Sequence, residues 1–529
     1  MNKILFSSIM LSAVALTACS DDTYSPDPEK NWAGTTEFFS PVEEDGFSTY
    51  YKPAIGRCGD PMPFYDEKSE EFKVYYLQEY DNNGASYHPI LSVATKDCAN
   101  YVNEGLVLPA GTPTEQDAGV GTGCRVYDKE NDVYYIYYTG HNANCAQTEA
   151  VMRATSTDGK NFTKDLAWSL KGKQVGLSET DFRDPQVFKG DDGKWHMIIS
   201  SSGKFADYTS ANLKDWTFNR TVKMVWDRTS ECPDVFQMGD WWYLVFSDQS
   251  KWGRCVKYIM GTSLADLYDN VEASRFPNAD EGKLDNRGFF AGKTASNGTD
   301  RYIWGWCPIR YGSDIWAKNL EAKDDVEPAW SGALVCHKLI QHEDGTITLG
   351  EVPGIKAKYN KEVALDAVEC AEGATFENGN AQLTGDSFIR FGRLGYHNHI
   401  SFTVKVDNAD DKFGVSFVRS NDNKRYASVN FNNPHWEAEK RNLCRLEFLQ
   451  VNGNGDGQDF VNGALSNFVP RPADNTYNID IYTDNSVVVV YYNNVMAYTT
   501  RIYGIQKNGW SINNYGGKIT VSDLKVTQY

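Results

Sequence analysis

Three carboxylates recur in one local setting: Asp60 in GRCGDPMPFYD, Asp184 in DFRDPQVF and Glu231 in SECPDVF. Each precedes or nearly precedes a proline and is followed by an aromatic run of strand character. Hydrolysis of an acetal needs two such groups, one to protonate the leaving oxygen and one to attack the sugar carbon or activate water from the other side. The three lie in well-separated stretches, so a common pocket requires a fold that brings the starts of distant strands together. The plain structural alternative for any one Asp-Pro is a turn in which the carboxylate caps its own backbone. Other reactive types lead less far. Cys232, beside Glu231, has no histidine close in sequence to activate it and reads as a small buried filler. Gly119, Gly121 and Gly123 form GVGTG, which lacks the spacing and the lysine of a phosphate-binding loop and reads as a tight turn. The ten cysteines after Cys19 are scattered, with no CxxC pair and no HExxH, so no metal site, cofactor or dense disulfide framework is expected.

The elements that must position these groups are strands. Hydrophobic residues make up 41% and aromatics 13% of 529 residues, with 31 Tyr and 26 Phe, a composition suited to sheets and to sugar-stacking surfaces. From about 47 to 355 an apolar strand, a turn rich in Asp, Gly and Asn, and an aromatic strand recur: KVYYLQEYDNNG, VYDKENDVYYIYYTGH, QVFKGDDGKWHMIISS, VFQMGDWWYLVFSD and NGTDRYIWGWCP. Five such units predict a five-bladed β-propeller, whose strand starts converge on a central channel. ATSTDGKNFTKD at 154–165 and YTSANLKDWTFNR at 208–220 read as outer blade strands. A generic sandwich of meanders is the competing arrangement. After Val352-Pro353-Gly354 the pattern changes to alternating strands such as HISFTVKV, TYNIDIYT and SVVVVYYN, which predict a β-sandwich over 358–529. The whole chain is expected to be all-β, in two domains.

The N-terminus pairs one cation, Lys3, with an apolar run too short to span a bilayer, the pattern of a signal peptide over 1–19. Leu16-Thr17-Ala18-Cys19 resembles a bacterial lipobox, which implies a lipid on Cys19 and a place in the cell envelope, anchored to the outer membrane. Residues 20–46 are acidic and proline-containing, as a flexible tether would be. A formal charge of −19 opposes contact with nucleic-acid phosphates and is compatible with a neutral oligo- or polysaccharide partner.

The three carboxylate motifs, in this order, resemble those of glycoside hydrolase family 32, the invertases, inulinases and levanases. VYYLQ at 74–78, LDNRGFFAGK at 284–293, GWCP at 305–308 and DNSVVVVYYNNVMAYTTRIY at 484–503 are similar to further blocks of that family. The resemblance implies a retaining β-fructofuranosidase in which Asp60 is the nucleophile, Glu231 the general acid/base and Asp184 a stabiliser gripping sugar hydroxyls. It also implies substrate contacts from Gln78, Arg183, Phe290 and Trp306. For Arg183 a salt bridge closing a blade is the alternative, and for Trp306 a place in the blade core. The pattern departs from the family at Gly59 and Met62, where it has asparagines, and around Ile90-Leu91-Ser92. With all three carboxylates kept, the departures bear on which glycan is cut. Two other functions stay open: an inverting arabinan or xylan hydrolase like family 43, whose carboxyl groups stand about 6.5–9.5 Å apart instead of about 5–5.5 Å, and a propeller that binds glycan without cleaving it.

Overall fold

The computed structural model describes residues 47–54, 56–79, 88–223, 230–249, 255–269, 282–286, 288–308, 330–423, 426–433, 443–451, 457–459, 467–502 and 504–529. Cys19, the signal peptide and the tether lie outside the described residues. Five antiparallel units follow one another. The first is β1 (Arg57–Asp66), β2 (Glu71–Glu79), β3 (Ile90–Thr95) and β4 (Val102–Leu108); the second is β5 (Gly119–Asp128), β6 (Val133–His141), β7 (Glu149–Ser156) and β8 (Thr163–Lys164). The third is β9 (Arg183–Lys189), β10 (Trp195–Ser201), β11 (Lys204–Ser210) and β12 (Thr217–Lys223). The fourth has β13 (Ser230–Met238), β14 (Trp241–Asp248) and β15 (Cys255–Gly261), and the fifth β16 (Phe290–Ser296), β17 (Arg301–Pro308), β18 (Gly332–Gln341) and β19 (Ile347–Gly350).

The first strands close a ring: β1 packs on β5 and β16, β9 on β5 and β13, and β13 on β16. This is a five-bladed propeller. A bridge between Cys58 of β1 and Gly332 of β18 ties the last blade to the first. Position within a blade decides the sequence pattern. The second strands are packed on both faces by neighbouring blades, so β6 (VYYIYYTGH) and β14 (WWYLVFSD) are buried almost throughout and lose two-residue alternation. The outermost strand β4 is mostly exposed.

A short helix, Pro353–Lys358, leads into a two-layered β-sandwich built from one 14-stranded network. Its organising element is the 20-residue strand Gly509–Gln528, which pairs in turn with Asn380–Arg393, His397–Val406 and Phe413–Arg419. The strand bends at Gly516 and Gly517, whose φ angles of 121° and 70° a side chain would resist. One core lies inside the sandwich, around Phe391, Phe402, Ile481 and Trp510. A second runs through the propeller into the sandwich, joining Tyr76, Trp304 and Leu334 to Tyr482, Val489 and Tyr491. The fold is all-β, a five-bladed propeller followed by a β-sandwich.

Candidate active site

Every blade breaks its first strand in the same way. The register between first and second strand slips by one residue between Gly59 and Met62, Gly121 and Gly123, Arg183 and Gln186, Glu231 and Asp234, and Phe290 and Lys293. These are β-bulges, and in four of them the bulged residue has positive φ: Asp60 (25°), Asp184 (61°), Cys232 (50°) and Ala291 (56°). Proline follows three of them, as Pro61, Pro185 and Pro233. A bulge leaves one backbone N–H out of the ladder, and proline has none to lose. The Asp-Pro motif is thus a bulge signal here and not a turn. The five bulges also make positions equivalent: Asp60, Thr122, Asp184, Cys232 and Ala291 form one set, and Gly59, Gly121, Arg183, Glu231 and Phe290, one step earlier, form another.

GVGTG is therefore not a tight turn. It lies in β5, the first strand of the second blade. A Cβ on Gly123 would collide with the Tyr137 carbonyl of the neighbouring strand, so close strand approach at the bulge, not a loop, demands the glycine.

The carboxylates meet through hydrogen bonds that cross between blades. Asp60 accepts from the Trp306 indole N–H on Oδ1 (2.9 Å) and from the Thr122 hydroxyl on Oδ2 (2.7 Å). Asp184 is buried; its Oδ2 accepts the Cys232 N–H (2.9 Å), and its own N–H donates to Thr139 Oγ1 (2.9 Å). Glu231 Oε1 pairs with Arg183 Nη2 (2.8 Å), and Oε2 accepts from Gln249. Arg183 is gripped from behind by Asp181 Oδ1 (2.7 Å) and Glu149 Oε2 (3.2 Å) on Nη1. The same Glu149 oxygen accepts the Phe182 N–H (2.8 Å), so it holds the backbone ahead of Arg183 as well.

Burial and crowding set the protonation of this group. Asp184 is pushed up to about 7, first by loss of solvent and then by Glu231 and Asp60, against the pull of Arg183. Glu231 is raised by its burial, with Arg183 pulling it down and Asp60 adding to the rise. For Arg183 burial works against the charge, but Asp184, Glu231, Glu149 and Asp181 outweigh it and keep the guanidinium charged. The Cys232 thiol is raised well above its ordinary value by burial and by Asp184 and Asp60, which leaves it protonated and unsuited to attack.

The other expected contact residues fall as follows. Phe290 occupies the fifth blade's counterpart of Arg183 and Glu231, closed off from solvent with its ring edge-on to Trp306 (5.5 Å). Trp306 is buried behind Asp60 and acts on that carboxylate through its N–H. Gln78 is buried at the end of β2, opposite Cys58. Thr122, Glu149, Gln249 and Trp330 were not singled out by the sequence reading. Thr122 becomes level with Asp60 only when the five first strands are aligned at their bulges, which the strand pairing reveals. Asp285, in LDNRGFFAGK, faces away from the pocket's chemistry: its carboxylate accepts the backbone N–H (2.9 Å) and hydroxyl (2.6 Å) of Thr499 in the sandwich. Among the described residues Cys58, Cys98, Cys124, Cys145, Cys232, Cys336 and Cys370 form no disulfide.

The arrangement resembles known proteins over most of its length. The levanbiose-producing levanase of Bacillus subtilis (strain 168) is 25% identical over 400 residues, 69% of this chain and 69% of that one. The levanbiose-producing levanase of Geobacillus stearothermophilus is 25% identical over 406 residues, covering 70% of this chain and 91% of the relative. Among solved structures, fructan 1-exohydrolase IIa from Cichorium intybus superposes with a TM-score of 0.68 at 14% identity, over 92% of this chain and 98% of that one. Exo-inulinase from Aspergillus awamori gives 0.67 at 15% identity, over 92% and 99%. The model of the glycosyl hydrolases family 32 N-terminal domain matches residues 51–352, and that described as GH32, BT1760-like, C-terminal domain matches 345–526. The chain belongs to glycoside hydrolase family 32 and is a glycosidase.

Proposed function

We propose that this glycosidase cleaves β-fructofuranosidic bonds in fructans or fructo-oligosaccharides with retention of configuration. The observation that carries this reading is the convergence of Asp60, Asp184 and Glu231 on one bulge layer, with Arg183 tying Glu231 to its neighbours. Asp60, already oriented by Trp306 and Thr122, attacks the anomeric carbon. Glu231, raised by burial, gives its proton to the leaving oxygen and later takes one from water. Asp184, near the midpoint of its titration at neutral pH, hydrogen-bonds sugar hydroxyls as acceptor or donor. The levanase relatives support fructan as the substrate class. The test is turnover of levan, inulin, sucrose and aryl β-fructofuranosides by the parent, Asp60→Ala and Glu231→Ala. Asp60→Ala should lose all turnover. Glu231→Ala should keep far more of its first step on acidic aryl leaving groups than on oligosaccharides, with azide giving a fructosyl azide of retained configuration. An inverted product from the parent, or equal losses on good and poor leaving groups, would remove these roles.

The enzyme works at the cell envelope, held by a lipid on Cys19 and displayed on the acidic tether of residues 20–46. The support is Leu16-Thr17-Ala18-Cys19 behind a short apolar run. Radiolabelled palmitate should enter the parent and not Cys19→Ala, which should leave the membrane fraction; labelling of the variant would exclude the anchor.

A further inference from the structure

Position 59 faces the pocket in register. Its counterparts in the third and fourth blades are Arg183 and Glu231, which both send functional side chains there, and in the fifth blade Phe290. In the first blade, as in the second with Gly121, the residue is glycine. The backbone does not ask for it, because Gly59 is not among the glycines with left-handed φ. What excludes a side chain is Trp330: a Cβ on Gly59 would sit far inside contact distance of the six-membered ring of that indole, with its Cζ3 at 3.0 Å. Trp330 stands immediately ahead of β18 and is half-buried. It rests against the cluster of Cys232, Phe290, Ala291 and Trp306, with its ring 6.4 Å from that of Trp306 and 4.5 Å from that of His88. Trp306 in turn holds Asp60.

We propose that Trp330 is a specificity-determining residue: its indole takes the sector of the pocket that a side chain at position 59 would fill, and it contacts the bound sugar beside Asp60 through an aromatic face. This rests on the fructoside-cleaving reading of the site. The physical consequence is a change in how that sector recognises a sugar. A polar side chain at 59 would select by hydrogen bonds to hydroxyls, whereas an indole selects by the apolar C–H face of the ring and by shape. Gly59 and Trp330 then work as one unit, since each is sterically conditional on the other.

The experiment uses the full chain and five proteins: the parent, Trp330→Ala, Trp330→Phe, Gly59→Asn, and the double variant Gly59→Asn/Trp330→Ala. Each is assayed for kcat and KM on levan-derived and inulin-derived oligosaccharides and on an aryl β-fructofuranoside, with Tm as the check on folding. Trp330→Ala should raise KM for one or both oligosaccharide series about tenfold with kcat changed much less, and Trp330→Phe should recover part of the loss. Gly59→Asn should cost at least as much alone, by displacing the indole, and the double variant should be no worse than the worse single variant, because the amide then has room. Unchanged KM in Trp330→Ala, equal loss in Trp330→Phe, or losses that simply add in the double variant would overturn the proposal. A parent that turns over none of these fructosides would instead overturn the reading on which it rests.

Discussion

At the scale of single residues, the site crowds three carboxylates together, and Asp184 bears the largest consequence. Its ordinary value is 3.8, and burial lifts it to about 7 in the folded protein. Between those values the folded chain holds a proton that the unfolded chain releases. The stabilising contribution is therefore complete below about pH 4 and is lost as pH rises through 7. Asp184→Asn keeps an acceptor for the Cys232 N–H but cannot ionise. It should match the parent in Tm near pH 4 and exceed it at pH 8 by a few degrees, on the order of 2–4 kcal/mol, while losing most of its activity. Thermal melts across that range check this, and a Tm difference independent of pH would show that Asp184 is not the group being desolvated. Asp60, Asp184 and Glu231 were legible in the sequence as candidate site residues because a carboxylate beside a proline, or one residue short of it, is a local signal. Thr122 and Glu149 were not, because a threonine between glycines or a lone glutamate acquires meaning only from what lies across the blade boundary.

At the scale of elements, the five bulges do the positioning, and a second set of contacts keeps the bulged strands in step. Two residues beyond the bulge, a side chain reaches the next blade's first strand. Cys124 accepts the Val187 N–H (3.2 Å), Gln186 the Val235 N–H (3.2 Å) and Asp234 the Thr294 N–H (2.7 Å). From the fifth blade Lys293 reaches the Gly123 carbonyl of the second (2.9 Å). Asp234 also accepts the Thr294 hydroxyl (2.6 Å), which is itself bonded by Arg301 (2.8 Å). Removing it in Asp234→Ala strands the buried Thr294 N–H and takes away the acceptor of its hydroxyl, a cost of about 3 kcal/mol. Tm should fall by about 5 °C or more, and kcat with it, because β13 carries Glu231 and β16 carries Phe290. Calorimetry and steady-state rates test this; a Tm within a degree of the parent would deny the contact its bracing role. The repeated aromatic strands announced the blades in sequence, since each repeat is a local pattern. The bulges did not announce themselves, because a one-residue slip shows only when the partner strand is known.

At the scale of the whole molecule, propeller and sandwich share structure and do not merely adjoin. In the strand Val487–Tyr492 (VVVVYY), Val488, Val490 and Tyr492 enter the sandwich core, while Val487, Val489 and Tyr491 enter the core shared with the propeller. Both faces are apolar because both are buried, which is why the run does not alternate. Polar anchors fix the same junction. One Asp484 oxygen accepts the backbone N–H groups of Ser48, Thr49 and Tyr50 (3.1, 2.7 and 2.8 Å). Arg501 donates to the carbonyls of Pro308 (2.7 Å) and Cys307 (3.0 Å), close to Trp306. The sandwich thereby supports the strand that carries the indole bonded to Asp60. The amino-acid sequence by itself determined the class of fold, the number of blades, the change of style near residue 355 and the three carboxylates, because periodicity, turn residues and short motifs act over a few neighbours. Only the tertiary structure decided that GVGTG is a strand, that Asp285 serves the domain junction, that Trp306 backs Asp60 and that Trp330 fills the space above Gly59. Each of these depends on which distant residue arrives at a given backbone position, and that is settled by the closing of the ring and its docking on the sandwich.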